Sequence, residues 1–170
     1  MIPYLALLLS AVLVFIDQII KVVIQDWLMP IKDYPLWDGV LHLTYLENRG
    51  MAFGMMQNQK WLLIGVTTVV LLVLVAMVIL EKVKSKPTLF TLAVIIGGGV
   101  GNLIDRVFRG YVIDYIYVKI INFAIFNFAD ICVTCGTAVL LAILLVDTIK
   151  EEKAAKAAEI AAKTDEKEQV

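Results

Sequence analysis

GGGVGNLIDRVFRGYVIDY, residues 97–115, changes character twice within one short stretch. Gly97, Gly98, Gly99 and Gly101 close an unbroken apolar run, and Asp105, Arg106, Arg109 and Asp114 follow before β-branched and aromatic residues take over. Two carboxylates and two guanidinium groups thus stand at the mouth of a hydrophobic segment. Charge at such a place is expensive and marks function more often than decoration. The four glycines either form a small-residue face on which another helix approaches closely or merely loosen their own helix.

The whole chain is as apolar as its opening clue. Of its 170 residues 61% are hydrophobic and 18% charged, against roughly 45–50% apolar in a soluble domain. Such a chain belongs in a bilayer. A formal net charge of −1 excludes a polyanion partner, because nucleic-acid binding needs clustered Lys and Arg. Cys132 and Cys135 form a CxxC with no second pair and a single histidine in the chain, so they read as two small packing residues rather than a zinc or redox motif. The first apolar stretch has no Lys or Arg before Lys21 and no small-x-small cleavage pattern, and is expected to be a retained membrane helix.

A helix needs about 20 mostly apolar residues to cross the hydrocarbon. Four segments qualify, at about 2–24, 61–80, 88–104 and 126–146. Lys82, Lys84 and Lys86 crowd the short connection between the second and third, which the positive-inside rule assigns to the cytoplasm. Both termini are then cytoplasmic, and the loops at 25–60 and 107–126 face outward. Leu41, Leu43 and Tyr45 alternate with His42 and Thr44 as one face of a strand, and YVIDYIYV is strand-like in composition. Open strand edges cannot sit in hydrocarbon, so these segments should pair in or above the outer interface. Trp27, Trp37 and Trp61 suit the aromatic belt. Residues 150–170 are rich in Ala, Glu and Lys and read as a solvated helix or a disordered tail.

The choice of chemistry narrows by elimination. The two serines are Ser10, within the first helix, and Ser85, in the cytoplasmic loop, so a serine nucleophile has no place near the outward acids. His42 alone cannot build a histidine-rich zinc site. Carboxylates remain. Two of them held close share one proton, so that one acts as base on a water while the other protonates or polarises a carbonyl. Asp17 and Lys21, four apart on one helical face, read more simply as a structural pair. Asp105 lies at the end of the third helix beside Asn102, where Arg106 complements the negative terminus and Asp105 orients neighbours. Asp114 falls among Val112, Ile116 and Val118, and Asp130 in the first turn of the fourth helix; they are either an acid and a base or two loop acids unrelated in space.

GGGVGNLIDR, then VIDY, then FNFAD, with DQIIK in the first helix and NRGMAF in the first outward loop, closely resemble the lipoprotein signal peptidases, also called signal peptidase II. The resemblance runs from about residue 17 to 146, with five blocks in the family's order. It implies an aspartic endopeptidase of the bacterial cytoplasmic membrane in which Asp114 and Asp130 are the catalytic pair. It implies that Asn102, Asp105, Arg106 and Asn127 surround and orient that pair, that Asn48 and Gly50 belong to the loop near the substrate, and that Asp17 and Lys21 support from the first helix. The implied substrate is a prolipoprotein with a diacylglyceryl group on its cysteine, cut on the N-terminal side of that cysteine. Met51 stands where the family commonly has alanine and Tyr115 where it has phenylalanine, departures that concern loop packing.

The expected fold is therefore an all-α membrane protein with four transmembrane helices and a small extracytoplasmic β-sheet platform. The peptidase domain would occupy 1–149 and a charged cytoplasmic tail 150–170. No metal or organic cofactor is implied, the partners are the lipidated substrates and membrane lipid, and a monomer is expected. A rival reading, a small proton-coupled transporter using the same acids, predicts acids facing each other across mid-bilayer and often an internal repeat; no repeat is visible. A non-enzymatic scaffold is the third possibility.

Overall fold

A computed structural model describes residues 1–50 and 59–168, with side-chain surroundings through residue 157. The elements run α1 (Ile2–Ile31), β1 (Asp33–Trp37), β2 (Leu41–Asn48), α2 (Lys60–Ile79), α3 (Lys86–Phe108), β3 (Val112–Val118), a 3-10 turn (Lys119–Ile121) and α4 (Phe128–Glu168). Four helices among the described residues are long and apolar enough to span a membrane. Met51, with the NRGMAF block it belongs to beyond Gly50, lies outside the described residues.

Each helix has a local cause. Pro3 and Pro87 sit in the first turns of α1 and α3, where a missing N–H costs nothing. α1 passes the expected end at residue 24 and stops where Pro30 precedes Lys32, whose left-handed φ of 65° lets its N–H reach the Leu28 carbonyl at 2.8 Å. α3 ends on Gly110, at φ 86°, which donates to the Asp105 carbonyl as a left-handed cap. α2 has no charge after Lys60 and leaves Val66, Val69, Leu72 and Val73 exposed, as a lipid-facing helix must. α4 passes the 149/150 position without a break, and its side chains at 150–157 are exposed.

α3 is the centre of the bundle. Half of its most apolar window is buried, against 17–22% for the other three. The glycines make that possible, each toward a different neighbour. A Cβ at Gly97 would lie 2.9 Å from Leu13 Cβ on α1, one at Gly98 would strike the Ala129 carbonyl on α4, and one at Gly99 would lie 2.8 Å from Leu71 on α2. The small-residue face is thus a packing surface on three sides, not a loosened helix. Ser10 Oγ adds a bond to the Ala93 carbonyl across α1 and α3 at 2.8 Å.

The strands form an antiparallel sheet in the order β1-β2-β3. β1 was not expected: DYPLW is short and contains Pro35, yet as an edge strand it tolerates a residue without an N–H. The expected alternation in β2 also fails. His42 is buried, and the register slips between Leu43 and Leu46, so the period of two breaks there. His42 is satisfied by Asp33 Oδ2, 2.8 Å from its Nδ1, and hydrogen bonds from Thr44 and His42 hold the Asp33 carboxyl below the usual range.

Two apolar cores result. One joins Ala6, Leu71, Val78, Leu89, Leu92 and Ile96 among the helices, and the other joins Ile24, Leu28, Tyr45, Ile113 and Tyr115 where the sheet meets α1. Between them α1 and α3 contribute Asp17, Lys21, Asn102 and Asp105, all buried. A charged layer separates the cores at the sheet end of the bundle.

Candidate active site

Asp114 comes from the middle of β3, opposite Leu46 of β2, in a run where Val112 through Tyr115 are all buried. Asp130 comes from the start of α4, and the FNFAD sequence explains its placement. Asn127 precedes the helix and its Oδ1 accepts the Asp130 N–H at 2.9 Å, while Asp130 Oδ2 accepts the Asn127 N–H at 3.0 Å. This reciprocal pair is a capping box with an aspartate in the third helical position. It holds the carboxylate at the helix mouth, where the dipole favours an anion.

The same asparagine ties the two acids together. Asn127 Nδ2 donates to Asp114 Oδ1 at 2.6 Å, and Asn48 Nδ2 donates to Asp114 Oδ2 at 2.8 Å. Asn102 Nδ2 donates to Asp130 Oδ1 at 2.8 Å. Burial first, and the nearby Asp130 charge second, push the Asp114 carboxyl up to about 7. Asp114 is buried while Asp130 is half-buried. The two carboxylates thus stand in unequal surroundings, with the raised one, Asp114, the more deeply buried.

A layer of charge lies beneath. Lys21 Nζ contacts Asp17 Oδ2 at 2.9 Å, Asp105 Oδ2 at 2.8 Å and Asn102 Oδ1 at 2.9 Å. Asp105 also pairs with Arg109 and accepts the Ile113 N–H at 3.3 Å. Arg106 turns away from this layer and donates to the Gly50 carbonyl at 3.2 Å, while the Gly50 N–H is held by Asn48 Oδ1 at 2.9 Å. The ten residues singled out from the sequence therefore converge on one end of the bundle. Asp17 and Lys21 are more than the isolated pair their spacing suggested, because Asp105 and Asn102 complete the set. Gln18 and Arg109 were missed as members. Gln18 Nε2 lies within 3.1–3.2 Å of Asp17, the Gly101 carbonyl and Asp105, and Arg109 Nη1 donates to Gln18 Oε1 at 3.0 Å. A polar amide inside an apolar helix was the available signal.

A cleft of about 780 Å³ opens beside the two aspartates. Val66, Val70, Leu74, Ile95 and Ile131 line its length, and Asn48, Asn102, Arg106, Asp114 and Asp130 line its sheet end. Cys135 also lines it and is exposed, so of the two cysteines only Cys132 is a buried packing residue. An apolar trough with carboxylates at one end suits a substrate that brings a greasy part and a polar bond together.

Residues 9–146 match the family described as signal peptidase (SPase) II. The lipoprotein signal peptidase of Caldanaerobacter subterraneus subsp. tengcongensis is 45% identical over 141 residues, covering 83% of this chain and 95% of that protein. That of Brevibacillus brevis is 37% identical over 141 residues, covering 82% and 94%. A bacterial membrane enzyme solved at 2.3 Å superposes with a TM-score of 0.76 at 29% identity, over 84% of this chain and 88% of that one. Similarity of this extent in both sequence and backbone, over four spans and the polar layer between them, means that the chain belongs to the signal peptidase II family and is a membrane peptidase.

Proposed function

We propose that this peptidase removes signal peptides from diacylglyceryl-modified prolipoproteins, cutting N-terminal to the lipidated cysteine with Asp114 and Asp130 as the catalytic pair. The observation that carries the proposal is the convergence of two carboxylates, one pushed up to about 7, on the polar end of an apolar cleft. The names of the relatives supply the substrate class. Acyl chains would lie along the cleft between α2, α3 and α4, keeping the scissile bond at the sheet end.

In the reaction Asp114, carrying the shared proton, donates to the carbonyl oxygen while Asp130 takes a proton from the attacking water. Collapse of the tetrahedral intermediate returns a proton from Asp130 to the cysteine nitrogen as the C–N bond breaks, and Asp114 recovers its own. Asn48, Asn102 and Asn127 keep both carboxylates turned toward the substrate, and Arg106 holds the Gly50 backbone at the entrance. The lysine-rich connection between α2 and α3 lies at the opposite end from the sheet, which supports cytoplasmic termini and a catalytic end at the outer surface. The enzyme works as a monomer within membrane lipid.

Cleavage of a purified diacylglyceryl-modified prolipoprotein, followed by gel shift, tests the reading. Asp114→Asn and Asp130→Asn should each stay folded and lose about 10³-fold or more in turnover. Near wild-type cleavage by either folded variant removes that aspartate from the pair.

A further inference from the structure

Lys21 is wholly buried, and an ammonium has three donors and no acceptor. All three are used, on Asp17 Oδ2, Asp105 Oδ2 and Asn102 Oδ1. An amide nitrogen in place of that Asn102 oxygen would set donor against donor, so the oxygen must face the lysine. The nitrogen must then face Asp130 Oδ1, where it lies at 2.8 Å. Asn127 Nδ2, 3.2 Å from the same Asn102 oxygen, reinforces the choice. The other two carboxamides are oriented by backbone: the Asp130 N–H holds Asn127 Oδ1 and the Gly50 N–H holds Asn48 Oδ1. Among the three, Asn102 is the one whose orientation rests on a buried charge.

That charge is balanced on the spot. Asp17 and Asp105 face Lys21, and Arg109 pairs with Asp105, so the formal charges of the cluster sum to zero. Lys21 acts on the Asp114 carboxyl less than burial, Asp130 and the two asparagines do, whereas it touches Asn102 directly. Apolar packing would be a cheaper way to hold helices together than a buried ion pair. We infer that Lys21 is a positioning residue for the reaction, acting by locking the Asn102 carboxamide so that its nitrogen is always presented to Asp130. The inference rests on the peptidase reading above. Without the lock, only the 3.2 Å contact from Asn127 Nδ2 holds the Asn102 oxygen, and the carboxamide is free to swing away and leave Asp130 Oδ1 without its oriented donor.

The test uses full-length enzyme in detergent and the diacylglyceryl-modified prolipoprotein. Asp17→Asn/Lys21→Met removes the cation with one of its counter-charges and leaves Asp105 paired with Arg109. It should fold, lose about 100-fold in kcat and keep KM within about threefold. In an Asn102→Ala background the same exchange should cost less than about threefold, because the group it acts through is gone. Equal losses in both backgrounds, or wild-type kcat in the exchanged enzyme, would overturn the inference. So would failure of the exchanged chain to fold, which would make Lys21 a structural residue. Wild-type enzyme that does not cut this substrate points instead to failure of the peptidase reading.

Discussion

An unfolded aspartate titrates near 3.8, whereas burial and the Asp130 charge push Asp114 up to about 7. Between those values the folded protein holds a proton that the unfolded chain has released, so this residue makes stability fall as pH rises through the window. Melting temperature measured in detergent from pH 5 to 8 should therefore decline more in the wild type than in Asp114→Asn; parallel profiles would remove the buried carboxyl as the cause. Cleavage should decline above about pH 7, as the shared proton is lost, with a midpoint that belongs to the pair. Tyr115 next door has a separate role. Its hydroxyl accepts the Phe128 N–H at 3.2 Å, one of the unpaired donors at the start of α4. Tyr115→Phe should cost about 1 kcal/mol of stability and leave kcat unchanged, because the phenol touches neither carboxylate.

Helix α3 owes its central position to glycines, and the contrast with α2 gives a direct test. A Cβ at Gly101 would sit 2.5 Å from Asp17 Oδ2, so Gly101→Ala forces the α1 carboxylate off its lysine. Overpacking of this kind costs about 1–3 kcal/mol, and here the displaced group belongs to the layer beneath the two aspartates. Gly101→Ala should lower both melting temperature and turnover. Gly65 on α2 has open space around its missing Cβ, and Gly65→Ala should leave stability unchanged or raised by up to about 1 kcal/mol. Equal effects at the two sites would remove helix contact as the reason for the α3 glycines. Asn127→Ala removes both the start of α4 and a donor to Asp114, so its loss of turnover should exceed what about 1 kcal/mol of lost capping explains.

The molecule as a whole is polarised. The sheet and the aspartates occupy one end and the lysine-rich connection the other, with the apolar cleft joining the site to the lipid-facing helices. In a cysteine-free background, Asp38→Cys on the β1–β2 turn should react with a membrane-impermeant thiol reagent added outside intact cells, and Ser85→Cys only after the membrane is opened. The reverse pattern would invert the proposed orientation. Asp38 is 94% exposed and Ser85 is exposed, so access at either site depends on the membrane and not on packing.

Spans were legible because an apolar run needs no distant partner to be recognised: the expected 61–80 became Lys60–Ile79, and YVIDYIYV became β3. The start of α4 was likewise local, with Asn127 and Asp130 three residues apart. Where neighbours in sequence stop deciding, the reading stopped too. β1 gains its order from pairing with β2, His42 is buried against Asp33 of that strand, and α1 extends to Ile31 because the sheet packs against its last turns. The candidate site belongs to this second kind. Nothing in the spacing of Asp114 and Asp130 sets them together: the residues alone left them either an acid and a base or two unrelated loop acids, and the family resemblance named them as the pair. Their meeting depends on the return of residues 119–127 alongside β3, where Phe126 pairs with Ile116, and the link from Lys21 through Asn102 to Asp130 depends on glycines that let α1 and α4 approach the same helix from two sides. Local periodicity and capping are properties of a few adjacent residues, whereas a buried polar site is assembled from side chains that only close packing brings within hydrogen-bond reach.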